Sequence, residues 1–353
     1  MGGRAVRRLP GTICVLVILV LLTFPLSMVW AGAWRGDGTP LTEVASGKFK
    51  GDVFVAGGHG YTREDPYNEA YDLPEGLVRF AGLYIPVWNY DAGDELEPVL
   101  NGRSLGKLQG MPNYIAAFGV AAYALDVTEY VLMNARNNLE VRCINQNGGP
   151  YGAYLVVAYE NPNRNVVQFW LTEGNWALSP KGQEQTEAVF DAFSGGNDSD
   201  RLIDTKMVEK GTLHTLIIAG SEKEKDRLSF NNHLLGVDVA RGKSGPYIDC
   251  DSFDVTGFLE AQRNTIVFER GEEKYLHPMI GLLVINYKPE AAAVVRNYLS
   301  IDKSITQRDL QQAQTSWLNQ VIGQVPRSVF IVLGLTIFMA VISWLKLRRR
   351  ETL

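Results

Sequence analysis

The sequence predicts an all-β protein of two tandem β-sandwich domains, and two observations carry that reading. Four short blocks recur in the same order at a nearly constant offset, and each block reads as a strand or a turn between strands. A third observation bounds the fold: both ends of the chain set themselves apart as targeting and anchoring segments.

The first copy runs LNGRSLG (100–106), LDVTEYV (125–131), NNLEV (137–141) and YGAYLVVAYENP (151–162). The second runs FNNHLLG (230–236), FDVTGFL (253–259), NTIVF (264–268) and MIGLLVINYKP (279–289). The offsets are 130 at Asn101/Asn231, 128 at Asp126/Asp254, 127 at Asn137/Asn264 and 128 at Tyr159/Tyr287. Such regularity marks an internal duplication. It divides the chain into a first sandwich at 34–163 and a second at 164–290.

GLYIPVW (82–88) and TLIIAG (215–220) are short strands rich in β-branched and aromatic residues, the second interrupted upstream by His214. Asn101-Gly102 lies between apolar runs and predicts a hairpin turn with both central residues at positive φ; Asn231-Asn232 fill the same places. In LEVRC, Leu139, Val141 and Cys143 share one face and Glu140 and Arg142 the other. AYLVVAY and IGLLVINY are longer apolar runs, suited to central strands.

The Asp-Val-Thr blocks invite a reading as twin reaction centres, but a mechanical role accounts for them better. Asp126 and Asp254 can accept hydrogen bonds from backbone N–H groups two and three residues on, as an Asx-turn or helix N-cap. A single helical turn then folds Tyr130 and Val131, or Phe258 and Leu259, onto the end of the sandwich. Asn137 and Asn264 are expected to take a left-handed conformation leading into the next strand. Asp126, Thr128, Asn137, Asp254, Thr256 and Asn264 are therefore assigned structural roles.

The pattern NG-x-x-x-G, DVT-x-Φ-Φ and N-x-Φ-x-V, where Φ is apolar, resembles the galactose-binding-like jelly rolls. These include the sugar-binding domain at the front of family 2 glycosidases. The resemblance implies jelly-roll-like sandwiches in which the matching residues hold the fold and are not the sugar site. LYIPVWN, YGAYLVVAYENP and EGN (173–175) more specifically resemble an uncharacterised, mainly archaeal family of prokaryotic surface proteins, domain of unknown function 3344. That resemblance covers about 45–290 and implies repeats and a membrane anchor. The second copy departs from it by lacking a VWN after Leu213.

Residues 1–33 have the order of a secretory signal peptide: Arg4, Arg7 and Arg8, the apolar ICVLVILVLL, Pro25, then Ala-Gly-Ala at 31–33. An uncleaved signal anchor is the alternative. At the other end, VFIVLGLTIFMAVISWL (329–345) carries no charge and lies within a transmembrane helix expected at 327–347. KLRRR follows, placing the tail at 348–353 in the cytoplasm and the N-terminal part outside the cell. Between 291 and 326 a Gln-rich stretch with Trp317, Leu318, Val321 and Ile322 at helical spacing reads as a partly helical juxtamembrane stalk. The expected partner at this end is the lipid bilayer, through one helix.

The net charge of −5 includes +3 from residues 1–33 and +3 from 346–353, so the stretch between carries −11. That balance argues against nucleic acid as a partner. Cys143 and Cys250 stand in different copies, where a disulfide would staple the two together; two unpaired thiols are the alternative.

Candidate sites are few. His59, His214, His233 and His277 are scattered, and no nucleophile-elbow, zinc or phosphate-loop pattern occurs, so the chain reads as a non-enzyme with no catalytic residue assigned. GGHGYTREDPYNEAYD (57–72) reads as a loop whose Tyr61, Tyr67 and Tyr71 offer aromatic faces to a sugar. The Asp-rich turns YDAGDELE, with Asp91 and Asp94, and SGGNDSD, with Asp198 and Asp200, offer oxygen ligands for calcium, and no other cofactor is expected. The function these features favour is a surface protein binding glycan or another envelope protein through its sandwich loops. A ligand-free structural component assembling laterally is the alternative, and a polysaccharide hydrolase the third.

Overall fold

The computed structural model describes residues 38–61, 64–90, 95–109, 112–116, 119–144, 148–190, 201–293 and 297–302. The expected signal peptide, transmembrane helix and tail lie outside the described residues, as do Asp91, Asp94, Asp198 and Asp200. Among the described residues no helix is long and apolar enough to cross a membrane, so the transmembrane helix has no support in them.

The first copy contributes β1 (Gly38–Gly57), β2 (Tyr67–Leu73), β3 (Leu77–Trp88), β4 (Glu95–Leu100), β5 (Arg103–Ser104), β6 (Leu108–Gln109), β7 (Tyr114–Ile115), β8 (Ala121–Asp126), β9 (Ala135–Ile144), β10 (Gly149–Pro150) and β11 (Tyr154–Glu160). The second contributes β12 (Val166–Trp176), β13 (Gln185–Phe190), β14 (Val208–Ile218), β15 (Arg227–Phe230), β16 (His233–Val237), β17 (Ile248–Asp254), β18 (Asn264–Glu269) and β19 (His277–Tyr287). Tyr298–Ile301, which the sequence reading placed in the stalk, form β20 and pair antiparallel with Ala45–Lys48 of β1.

The duplication is visible in the topology. The small sheet of the first copy runs β2-β9-β4-β5 and that of the second β13-β18-β15-β16. The large sheet reads β17-β14-β19-β12-β1-β11-β3-β8-β7, in which β12-β19-β14-β17 repeats β1-β11-β3-β8 outward from a shared seam. Each copy is thus a two-sheet sandwich with jelly-roll strand order. The copies fuse where β1 pairs with β12.

β1 serves both copies. Thr42–Lys50 pair with β12, and Gly51–Gly57 pair with β11. The change of partner falls at Gly51, where a Cβ would stand 2.0 Å from the Tyr159 carbonyl oxygen, so only glycine fits.

Each sandwich has its own core. In the first, Leu83, Ile85, Leu155 and Val157 of the large sheet meet Tyr67, Tyr71, Leu96, Leu139 and Val141 of the small one. In the second, Trp170, Leu213, Ile217, Leu283 and Ile285 meet Phe190, Leu228, Phe230, Ile266 and Phe268. The opposite faces of the large-sheet strands are buried as well, through Tyr84, Tyr154, Val156, Val167, Phe169 and Leu171. There the copies cover each other: the Tyr114 hydroxyl donates to Glu173 Oε1 (2.6 Å), and Asn175 Nδ2 donates to the Val120 carbonyl (3.0 Å). Burial on both faces explains why β11 and β19 read as unbroken apolar runs. His214 does not break its strand; it sits within β14, its Nδ1 2.7 Å from Ser252 Oγ.

The repeated corners share two hydrogen bonds. Thr128 N–H donates to Asp126 Oδ1 (3.0 Å), and Thr256 N–H to Asp254 Oδ1 (2.9 Å). Both are Asx-turns reaching two residues on. Thr128 Oγ1 accepts from Ala81 N–H and Thr256 Oγ1 from Gly211 N–H, each at 2.9 Å, tying the corner to the neighbouring strand. Asn101 has φ 54° and Gly102 φ 74°, and Asn231 and Asn232 have φ 46° and 63°, the hairpin the sequence predicts. Removing one Asx-turn, by Asp126→Ala or Asp254→Ala, is expected to cost about 1 kcal/mol, read as a small fall in thermal unfolding temperature. Lost ligand binding at unchanged stability would overturn the structural assignment.

Asn137 and Asn264 act differently from expectation. Neither is left-handed; the positive φ falls at Asn134 (54°) and Arg263 (56°). Both asparagines lie inside the strand with buried side chains that bind the preceding loop. Leu132 N–H donates to Asn137 Oδ1 (2.7 Å) while Nδ2 donates to Leu132 O (2.8 Å) and Ala135 O (3.1 Å). Glu260 N–H and O bracket Asn264 in the same way, each at 2.9 Å. An amide presents a donor and an acceptor together, which suits a loop carrying both groups.

No disulfide joins Cys143 and Cys250. Cys143 is on β9 of the small sheet, whereas Cys250 is on β17 at an edge of the large sheet, directly beside Gly57. Different layers hold them.

An aromatic cleft between the copies as the candidate functional site

Tyr67 and Tyr71 cannot offer faces to a ligand. They belong to β2, where alternate residues point inward, and they are 0% and 2% exposed in the first core. The spacing 67, 69, 71, 73 carries the period-2 signal of a strand. The Tyr67 hydroxyl donates to His59 O (2.9 Å) and bonds Glu69 Oε2 (3.1 Å).

Tyr61 has a different setting. Its ring meets Trp88 edge-on, with centroids 5.1 Å apart at 90°. Both line a cleft of about 460 Å³ together with Tyr151, Tyr247 and Tyr275. Tyr61, Trp88 and Tyr151 come from the first copy; Tyr247 and Tyr275, with Ala219, Ser221, Glu224, Glu273 and Lys274, come from the second. The cleft therefore exists only because the copies are fused.

Backbone contact fixes the two sides. Gly60 N–H donates to Ser244 O (2.7 Å), and a Cβ on Gly60 would stand 2.4 Å from the Gly245 carbonyl carbon. Two residues on, Tyr247 has φ 60°, a conformation costly for a bulky side chain. Ala219, at φ 69°, donates its N–H to Tyr247 O (2.9 Å). Strain of this kind gathers where side-chain presentation matters, and it leaves Tyr247 51% exposed at the cleft.

The polar groups of the cleft are mainly acidic. Glu273 is 2% exposed, and its Oε1 accepts from Ser221 N–H (2.6 Å). Burial first, then the nearby charges of Asp226, Glu224 and Asp238, pushes its carboxyl up to about 8. At neutral pH it is mostly an uncharged acid. Trp88 Nε1 is buried with no hydrogen-bond partner among the described residues.

The calcium candidates Asp91, Asp94, Asp198 and Asp200 lie outside the described residues. Among the described residues no group of three or more His, Cys, Asp or Glu could hold a metal. His59 pairs with Glu69 (2.8 Å), His233 stacks on Phe258, and His277 contacts Asn175 Oδ1 through Nδ1 (2.9 Å). Burial pushes His277 down to about 3, so it stays neutral. Asp254 and Thr256 line a separate polar depression with Asp52, Arg164, Glu209 and Lys210. Hydrogen bonds from Thr256 hold the Asp254 carboxyl below its usual range, as a turn cap requires.

The sequence reading missed four of the five cleft aromatics. Trp88 and Tyr151 stand in stretches whose pattern speaks only of strands. One signal was available: Gly-Pro-Tyr occurs at 149–151 and again at 245–247. That spacing of 96 does not obey the duplication offset near 128, so this repeat is not inherited scaffold.

The family model described as "Protein of unknown function (DUF3344)" matches residues 33–286. No curated protein matches the chain. Among solved structures, a putative beta-galactosidase from Bacteroides fragilis is 11% identical over 61% of this chain and 29% of its own, with a TM-score of 0.20. A glycosyl hydrolase family 2 member from Bacteroides cellulosilyticus is 12% identical over 69% and 32%, with a TM-score of 0.21. PNGase F, a glycosylasparaginase from Flavobacterium meningosepticum, is 10% identical over 70% and 99%, with a TM-score of 0.24. The chain spans about a third or less of the two glycosidases, and likenesses this distant say nothing of activity.

Proposed function

The chain belongs to the DUF3344 family, and we propose that it is a non-catalytic binding protein that takes a saccharide in the cleft between its two copies. The observation that carries this reading is the convergence of five aromatic side chains from both copies on one concavity, with Tyr247 presented by a strained backbone. A cleft of about 460 Å³ lies within the size range of ligand pockets. Aromatic walls with few polar groups suit a sugar, whose C–H faces pack on rings while its hydroxyls bond the rim.

The test is a glycan array with the full chain, followed by titration of the best ligand against Tyr247→Ala and Trp88→Ala. Each variant is expected to weaken binding about ten-fold or more, the loss of one stacking contact. Leu132→Ala, at an exposed position outside the cleft, should leave affinity unchanged. An array silent throughout, or affinity indifferent to both aromatic truncations, would overturn the reading. Turnover of a bound polysaccharide would overturn its non-catalytic part.

A further inference from the structure

We infer that the cleft selects a saccharide bearing a protonated amine, an amino sugar of the glucosamine type. This rests on the saccharide reading above and names its ligand class.

The walls provide the first reason. Ring faces carry negative potential, so aromatic side chains gathered around one space attract a cation as well as a sugar face. Tyr247 and Tyr275 are 51% and 40% exposed there, and Tyr61 and Trp88 stand edge to face beside them.

The floor provides the second. Glu273 and Glu224 both line the cleft, and Glu273 is almost fully buried without a basic partner among the described residues. Ser221 N–H satisfies its Oε1, while its Oε2 accepts no hydrogen bond among the described residues. Behind it Asp226 is fully buried; its Oδ2 accepts from Val239 and Ala240 N–H, and its Oδ1 has no partner.

The bases of these loops are paired with other carboxylates, and Arg270 also donates through Nη1 to the Glu273 main-chain carbonyl, not to its carboxyl. Lys225 pairs with Glu272, Arg241 with Asp238, Arg270 with Glu184 and Lys243 with Asp251. On the first copy, His59 pairs with Glu69. Lys223 and Lys274 are exposed, and of these only Lys274 lines the cleft, where its long side chain can keep its charge in water. An ammonium docked between the rings and Glu273 stabilises the ionised form of that carboxyl, whose proton leaves to solvent. Burial first, then the neighbouring acids Asp226, Glu224 and Asp238, raises the Glu273 carboxyl to about 8, and an ammonium docked beside it would lower it again. Binding then draws off the Glu273 proton and leaves a charge-assisted contact.

The deciding experiment titrates the full chain at pH 6.5 with a short glucosamine oligosaccharide, its N-acetylated counterpart and a neutral glucose oligosaccharide. The amine form is expected to bind about ten-fold tighter than the N-acetyl form. Glu273→Gln should abolish most of that preference, bringing the amine and N-acetyl affinities together, whereas Tyr247→Ala should weaken both ligands and leave their ratio. Thermal unfolding checks that Glu273→Gln is folded, and Glu224→Gln, at a less buried carboxylate, gives the same test if it is not. Equal or tighter binding of the N-acetyl form would overturn the ligand class and leave the saccharide reading standing. A preference that survives both carboxylate variants would do the same. Failure of all three sugars, with a silent array, would remove both.

Discussion

Asn137→Ala is expected to be among the most damaging single changes in the first sandwich, lowering stability by about 3–5 kcal/mol. Its side chain is fully buried and takes part in four hydrogen bonds: from Leu132 N–H and Asn101 Nδ2 to Oδ1, and from Nδ2 to Leu132 O and Ala135 O. Alanine removes every partner at once and leaves backbone groups without water or protein to replace it. An unmade buried hydrogen bond costs more than a made one contributes. Asn264→Ala should cost somewhat less, because its side chain makes three such bonds, with Glu260 N–H, Glu260 O and Asn231 Nδ2. Urea unfolding of both variants beside Asp126→Ala measures the order. If the aspartate variant were the worse of the two in the first copy, the corner would be held by its Asx-turn and not by the asparagine.

Arg201→Met is expected to cost a similar amount, about 3–5 kcal/mol. Arg201 and Glu43 form an ion pair whose side chains are only 5% and 3% exposed. It joins the chain entering the second sandwich core to β1, and the Arg201 carbonyl also accepts from Gln168 Nε2 of β12 at 2.9 Å. Methionine fills much of the volume but leaves Glu43 as a buried charge with its guanidinium gone. Replacing both members, as Glu43→Leu with Arg201→Met, should recover much of the loss, because a buried pair contributes little beyond a well-packed apolar pair. Chemical denaturation of the two singles and the double closes the cycle. A double variant as unstable as the sum of the singles would show that the pair is not a closed unit.

The two predictions reflect how different parts of the fold were legible. The duplication, the Asn-Gly hairpin and the alternation of Leu139 and Val141 are local patterns, and the structure bears them out. The asparagines were read as left-handed turn residues because asparagine is common there. Their actual role joins the preceding loop to a hairpin arriving from elsewhere, as the bond from Asn101 to Asn137 shows. Tyr67 and Tyr71 stand among acids in a stretch that reads, by itself, as a loop between strands. The strand that claims them pairs with β9, seventy residues on in sequence, and so leaves no local mark beyond its period.

Local chemistry is enough to specify turns, strand faces and repetition, since each follows from neighbours a few residues apart. From these, residues 100–106 and 230–236 already declared two copies of one sandwich. The fusion of the copies at β1 and β12 is a long-range pairing, and the cleft exists only as its consequence. Tyr61 and Tyr247 are 186 positions apart, and no pattern along the chain connects them. Contacts between the copies bring them together, with Gly60 N–H on Ser244 O beside the cleft and Tyr114 on Glu173 across the seam.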